Sequence, residues 1–179
     1  MKGKRKFYVL AALLVALAVM GGTFAHAYTT ASTTISMTAP SSDFATVTAG
    51  TGPTAPTMFG SFTGTWPSGT LFTITPAAGY TGDLVIRVYL TNAAALSRYY
   101  ENSNMLLEFL DSSNTTADEQ QSGQDLTLDN GGVEFTWANG TGTGPYTVQL
   151  TGGSYRLNPW KSLVGGSVSP QLWIEVKPR

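Results

Sequence analysis

Five runs of the chain alternate apolar and polar residues with a period of two, and that periodicity limits the fold more than any other property of the sequence. Leu84, Ile86, Val88 and Leu90 share one face of residues 83–91. Met105, Leu107 and Phe109 do so in the next run, with Glu108 opposite. Val133, Phe135 and Trp137 alternate with Glu134 and Thr136; Tyr146, Val148 and Leu150 with Thr147, Gln149 and Thr151; Leu172, Ile174 and Val176 with Trp173, Glu175 and Lys177. Successive side chains of a strand point to opposite faces, so each run reads as a strand with one buried face. Fainter versions of the pattern occupy 58–64, 71–75, 124–128 and 154–157. Turn sequences such as Asp129-Asn130-Gly131-Gly132 and Gly142-Thr143-Gly144-Pro145 separate the runs. The expected fold is all-β, an antiparallel, jelly-roll-like sandwich of about 8–10 strands. One helical turn is expected within 92–100, with Asn92 as its N-cap.

Two stretches lack this order. Residues 49–69 hold five Gly and three Pro, which suits a connector or an edge strand better than a central one. Residues 112–123 are polar and acidic and read as a solvated loop.

The N-terminal 27 residues have the layout of a secretory signal. Residues 1–6 are cationic, 7–20 are apolar, and Gly21-Gly22 precedes Ala25-His26-Ala27, so cleavage is expected between Ala27 and Tyr28. The 14 apolar residues are fewer than the roughly 20 that a bilayer-spanning helix needs. No later stretch approaches a span, so no membrane span is expected after cleavage. The expected product is secreted, extracellular or held at the cell surface. Lys2, Lys4, Arg5 and Lys6 leave with the signal, so six basic residues face eleven acidic ones. That balance leaves no basic footprint for nucleic acid.

The 152 remaining residues, of which 25 are Thr and 15 are Ser, are enough for a single domain with its own core. The chain has no Cys, so its stability must come from packing and not from disulfides. The expected layout is the signal at 1–27, an N-terminal strand within 28–48, the Gly/Pro-rich connector or edge at 49–69, and the β-sandwich core at 70–179.

Directly after the expected cleavage site, residues 30–39 alternate without a break. Ala31, Thr33, Ile35, Met37 and Ala39 form a mildly apolar face, and Thr30, Ser32, Thr34, Ser36 and Thr38 a hydroxylated one. Such a strand can close the edge of its own domain or be donated to a neighbour's edge, where main-chain hydrogen bonds supply affinity and side-chain pockets supply specificity. Donated head to tail, it does not close on itself and builds a filament.

Catalysis of the Ser-His or Cys-His kind has no base here, because His26, the sole histidine, lies in the signal. A Ser-Lys pair would have only Lys161 or Lys177, neither in a recognisable motif. Glycoside hydrolysis needs two carboxyls facing across a cleft. The candidates Glu101, Glu108, Asp111, Asp118, Glu119, Asp125, Asp129, Glu134 and Glu175 fall mostly in polar loops or on outer strand faces. No catalytic residue and no cofactor is assigned. Asp125, Asp129, the carbonyls of 130–132, and Asp118 with Glu119 are candidate oxygen ligands for a structural calcium, without the spacing of an EF-hand. Asn114-Thr115-Thr116 and Asn139-Gly140-Thr141 fit the N-glycosylation sequon, with Asn114 and Asn139 as acceptors. Trp66, Tyr80, Trp137, Tyr155, Trp160 and Trp173 raise an alternative function, because rings exposed on a β-sandwich face stack on sugars. Trp137 lies on an apolar face and is expected in the core.

Three parts of the chain resemble the secreted biofilm-matrix fibre proteins of the TasA and camelysin kind. They are the basic signal ending Gly21-Gly22-Thr23-Phe24-Ala25-His26-Ala27-Tyr28, the Thr-rich segment ending Phe44-Ala45-Thr46-Val47-Thr48-Ala49-Gly50, and the strand at 84–91 leading into Asn92. The resemblance implies a jelly-roll subunit that polymerises by donating its N-terminal strand to the next subunit. The expected function is therefore a non-enzymatic structural subunit of an extracellular filament, pilus or surface matrix, with further copies of itself as partners. The alternative is a secreted carbohydrate-binding module that meets surface glycans.

Overall fold

The computed structural model describes residues 33–38, 44–52, 54–55, 62–120, 122–158 and 168–179. The expected cleavage pair Ala27 and Tyr28, together with Ala31, Ala39, Trp160 and Lys161, lies outside them. The elements in chain order are β1 (Thr33–Thr34), β2 (Ser36–Thr38), β3 (Ala45–Ala49), β4 (Thr54–Ala55), β5 (Thr63–Thr65), β6 (Gly69–Pro76), β7 (Leu84–Leu90), α1 (Ala93–Leu96), β8 (Tyr100–Leu110), β9 (Gln124–Thr127), β10 (Gly132–Trp137), β11 (Tyr146–Leu157) and β12 (Gln171–Pro178). The described residues are all-β apart from the single turn of α1. No helix among the described residues is long and apolar enough to cross a membrane.

The strands form a four-stranded sheet in the order β10-β7-β12-β2, a six-stranded sheet in the order β3-β6-β11-β8-β9 with β5 also on β11, and a two-stranded pair of β1 and β4. Every pairing between these strands is antiparallel except that of β2 with β12. The five strong runs of alternation all become strands, and their apolar faces point where the periodicity put them. Ile86, Val88, Phe135 and Ile174 from the smaller sheet and Phe72, Met105, Leu107, Phe109 and Val148 from the larger enter one buried cluster. The Phe109 and Phe135 rings meet between the sheets at 6.0 Å, and Tyr146 packs on Phe109 at 5.7 Å. Trp137 is in this core as expected, with its Nε1–H donating to the Thr141 carbonyl at 3.0 Å.

Four local readings are corrected. The stretch 49–69 is more than a connector, since it supplies β4, β5 and the ring of Trp66, which is 3% exposed. Residues 146–150 and 154–157 are one strand, β11, with an irregular register between Leu150 and Gly152. Gly153 there has φ +128, and a Cβ would collide with the Asn104 carbonyl, the backbone condition that glycine alone meets cheaply. β11 thereby changes partner from β6 to β5, and the intervening Trp66 donates its N–H to the Gly153 carbonyl at 3.0 Å. The Trp66 ring packs on Tyr155 at 4.7 Å and Tyr100 at 6.4 Å, with Nε1 donating to Ser103 Oγ at 3.3 Å.

The acidic stretch 112–123 is only partly solvated, because Ala117 is fully buried and Asp118 is 2% exposed. Asp118 Oδ1 accepts from the Thr136 N–H at 2.8 Å, and the Glu119 N–H donates to the Thr136 carbonyl at 2.9 Å. These two bonds satisfy main-chain groups on the outer edge of β10. Asn92 precedes α1 as expected, but its side chain does not cap the helix. Its Nδ2 donates to the Ser169 carbonyl at 2.8 Å and its Oδ1 accepts from the Gln171 N–H at 3.0 Å.

Candidate subunit interface

The described part of the N-terminal segment forms two short strands, β2 at the edge of the four-stranded sheet and β1 in the separate pair with β4. β1 pairs with β4 through Thr33 opposite Ala55 and Thr34 opposite Thr54. β2 runs parallel to β12, with Ser36 opposite Gln171, Met37 opposite Leu172 and Thr38 opposite Trp173. Between the two pieces sits Ile35, whose side chain is 1% exposed and belongs to the shared core. Met37 is half-buried and packs against the same core. Of the expected donor face, Ile35 and Met37 therefore meet the core and Thr33 lies in β1, while Ala31 and Ala39 fall outside the described residues.

At the break, the backbone of Ile35 is closely approached by a residue remote in sequence. A Cβ at position 52 would collide with the Ile35 carbonyl, so Gly52 lets the two backbones approach. Full burial of an isoleucine side chain is worth about 1.5–3 kcal/mol. Ile35 thus anchors a strand that has only three residues on β12. None of the residues paired there, Ser36, Met37 and Thr38 or Gln171, Leu172 and Trp173, carries an ionisable side chain.

The acceptor strand is held independently of β2. On its other side β12 pairs with β7 from Leu172 opposite Leu90 to Pro178 opposite Leu84. Its start is pinned by the two Asn92 amide bonds and by Thr91, whose N–H donates to the Gln171 carbonyl at 2.9 Å. The sequence reading missed this role of Asn92. An Asn after a strand and before an Ala run signals a cap, whereas amides also bond to distant main chain when the fold brings it within reach. Nothing in the sequence marked Gly52 beyond its place in a Gly/Pro-rich stretch.

The other candidate residues are not brought together at one place. Asn114 is exposed with φ 58, in a turn where the Asp111 carboxylate accepts from the N–H groups of Ser113 at 2.8 Å and Thr115 at 2.9 Å. Those main-chain bonds, from Thr115 first, then Ser113 and Thr143, hold the Asp111 carboxyl below its ordinary value. Asn139 is exposed, with Nδ2 donating to the Thr81 carbonyl at 3.2 Å. The candidate calcium ligands are not assembled: no group of three or more acidic or histidine side chains that could hold a metal occurs among the described residues. Asp118 is engaged with Thr136. The turn after β9 is tied by Asn130, whose Oδ1 accepts from the Thr127 N–H at 2.9 Å and whose Nδ2 donates to the Asp125 carbonyl at 2.6 Å. Several acids considered for hydrolysis are paired with cations instead: Glu101 with Arg156 at 2.8 Å, Glu134 with Arg87, and Glu175 with Lys177 at 3.5 Å. Of the tryptophans read as sugar platforms, Trp66 and Trp137 are buried and Trp173 is exposed. No family model matches this chain, and no curated protein does either.

Proposed function

We propose that the chain is a non-enzymatic structural subunit of an extracellular filament or surface matrix, joined by its N-terminal strand pairing with β12 of a neighbouring copy. The signal is removed between Ala27 and Tyr28, and the mature subunit is a jelly-roll-like sandwich of the TasA and camelysin kind. The observation that carries this reading is the closure of the β12 edge by a short parallel strand from the far end of the sequence. Without β2, β12 would present a row of unpaired main-chain groups beside an empty pocket for Ile35, a template for another strand. A second chain can supply the same residues in the same register, and repetition builds an open polymer.

Contacts within and between chains are then alike. The balance is set by the effective concentration of the tethered strand, of millimolar order for a short linker, against the concentration of subunits. Assembly is accordingly steep in protein concentration. Deleting residues 29–39 should abolish fibres in electron micrographs while leaving the β-rich circular dichroism of the body, and a synthetic peptide of residues 30–39 should bind the truncated protein. Fibres that persist after the deletion would contradict the reading.

A further inference from the structure

The outer face of the four-stranded sheet carries a feature independent of strand exchange. Trp173 is 37% exposed and is the one large hydrophobic exposed to that degree among the described residues. It lies on β12 directly opposite Tyr89 on β7, which lies directly opposite Gly132 on β10. A Cβ on Gly132 would stand 3.0 Å from the Tyr89 ring, so the absence of a side chain there leaves room for that ring. Beside it, a shallow depression of about 420 Å³ is lined by Arg87, Tyr89, Asn130, Gly132 and Glu134. This row of Trp173, Tyr89 and the depression crosses three strands, roughly 10 Å at the usual inter-strand spacing.

Two residues further along each strand lies a polar row, Glu134 opposite Arg87 and Arg87 opposite Glu175, about 7 Å from the aromatic one. Its charges cancel locally. Arg87 pairs with Glu134, Lys177 pairs with Glu175 at 3.5 Å, and the Tyr89 hydroxyl donates to Glu175 at 3.3 Å. A charged partner therefore meets no net field here, whereas a neutral ligand with an apolar face and a rim of hydroxyls meets a stacking surface bordered by donors and acceptors.

We propose that this face binds a neutral polysaccharide, with a sugar ring stacked on Trp173 and hydroxyls bonded to the Arg87, Glu134 and Glu175 row. The site would let the subunit attach to glycan at the cell surface or in a matrix whether or not it polymerises. Affinity electrophoresis of the full mature chain through gels containing soluble β-glucan, mannan or starch, with pull-down on cellulose and chitin, tests it. Retardation or capture by at least one of these polymers is expected. Binding should persist in 0.5 M salt, fall at least tenfold in Trp173→Ala, and be largely restored in Trp173→Phe. An unchanged unfolding midpoint for Trp173→Ala shows that the loss is local. No binding to any of the five polymers would overturn the proposal, as would undiminished binding by Trp173→Ala or binding abolished by the added salt. Ile35→Asp, which blocks strand exchange, should leave sugar binding intact, so failure of either reading is distinguishable from failure of the other.

Discussion

At one edge of the four-stranded sheet, β10 is closed by the segment 117–119, which lies shortly before it in the chain and bonds to both main-chain groups of Thr136. At the other edge, β12 is closed by β2, which comes from the opposite end of the sequence and rests on three paired residues and the buried Ile35. The first closure is local and carried by hydrogen bonds to a buried carboxylate. The second is remote and carried chiefly by apolar burial. A local cap is always present at high effective concentration, whereas a remote strand can be replaced by the equivalent strand of another molecule. Both edges are protected, and the proposed exchange concerns only the second.

Substitutions at the two edges should separate these roles. The largest effect is expected at Ile35. Ile35→Asp places a charge in an apolar pocket with no partner and should abolish fibre formation in a pelleting assay, and Ile35→Ala should cost about 2–5 kcal/mol in urea unfolding. At the opposite edge, Asp118→Ala removes the acceptor for the Thr136 N–H and should destabilise the subunit by about 1–3 kcal/mol. It should leave the yield of fibre unchanged at temperatures where the subunit stays folded. A loss of fibres from Asp118→Ala with the subunit folded would erase the distinction between the edges.

Acid should act on the local turns and not on the edge closed by β2. Asp111 has its folded pKa depressed, so its contribution is present above the ordinary carboxylate range near pH 4 and is lost as the pH falls through the folded value. Asp111→Asn should flatten part of the acid limb of a stability-against-pH curve. The strand pairing at 36–38 has no ionisable group, so fibre dissociation should not follow that limb while the subunit remains folded. The smallest effect is expected from Glu134→Gln. Its ion pair with Arg87 is more than a third exposed on both sides, and exposed pairs contribute at most about 1 kcal/mol.

Much of this fold was legible because period-two alternation reports directly on burial. Leu84 to Leu90 in alternate positions, Val133 with Phe135, and Leu172 with Ile174 all became residues of the buried core. What escaped was decided by contacts remote in sequence. Ala117 and Asp118 sit in a stretch as polar as any loop, and only the neighbouring β10 edge makes their burial favourable. Trp66 sits among Gly and Pro, and its pocket is built from Tyr100 and Tyr155 on two later strands. Asn92 carries a capping signature that lost to the main chain of residues 169–171. The N-terminal strand was legible as a strand. Its split at Ile35 was not, and neither was the close approach of Gly52 there, which only the folded chain creates.

Exchange of that strand is tested most directly by a crosslink across its register. Ser36 and Gln171 are opposite one another on β2 and β12, and the chain contains no cysteine of its own. In the double variant Ser36→Cys with Gln171→Cys, neighbouring backbones at strand spacing are within disulfide range. Assembled material, oxidised and then run in detergent without reductant, should resolve into a ladder of covalent oligomers that collapses to monomer on reduction. Fibres that dissolve entirely into internally crosslinked monomers would contradict exchange and return β2 to the role of an edge strand of its own domain.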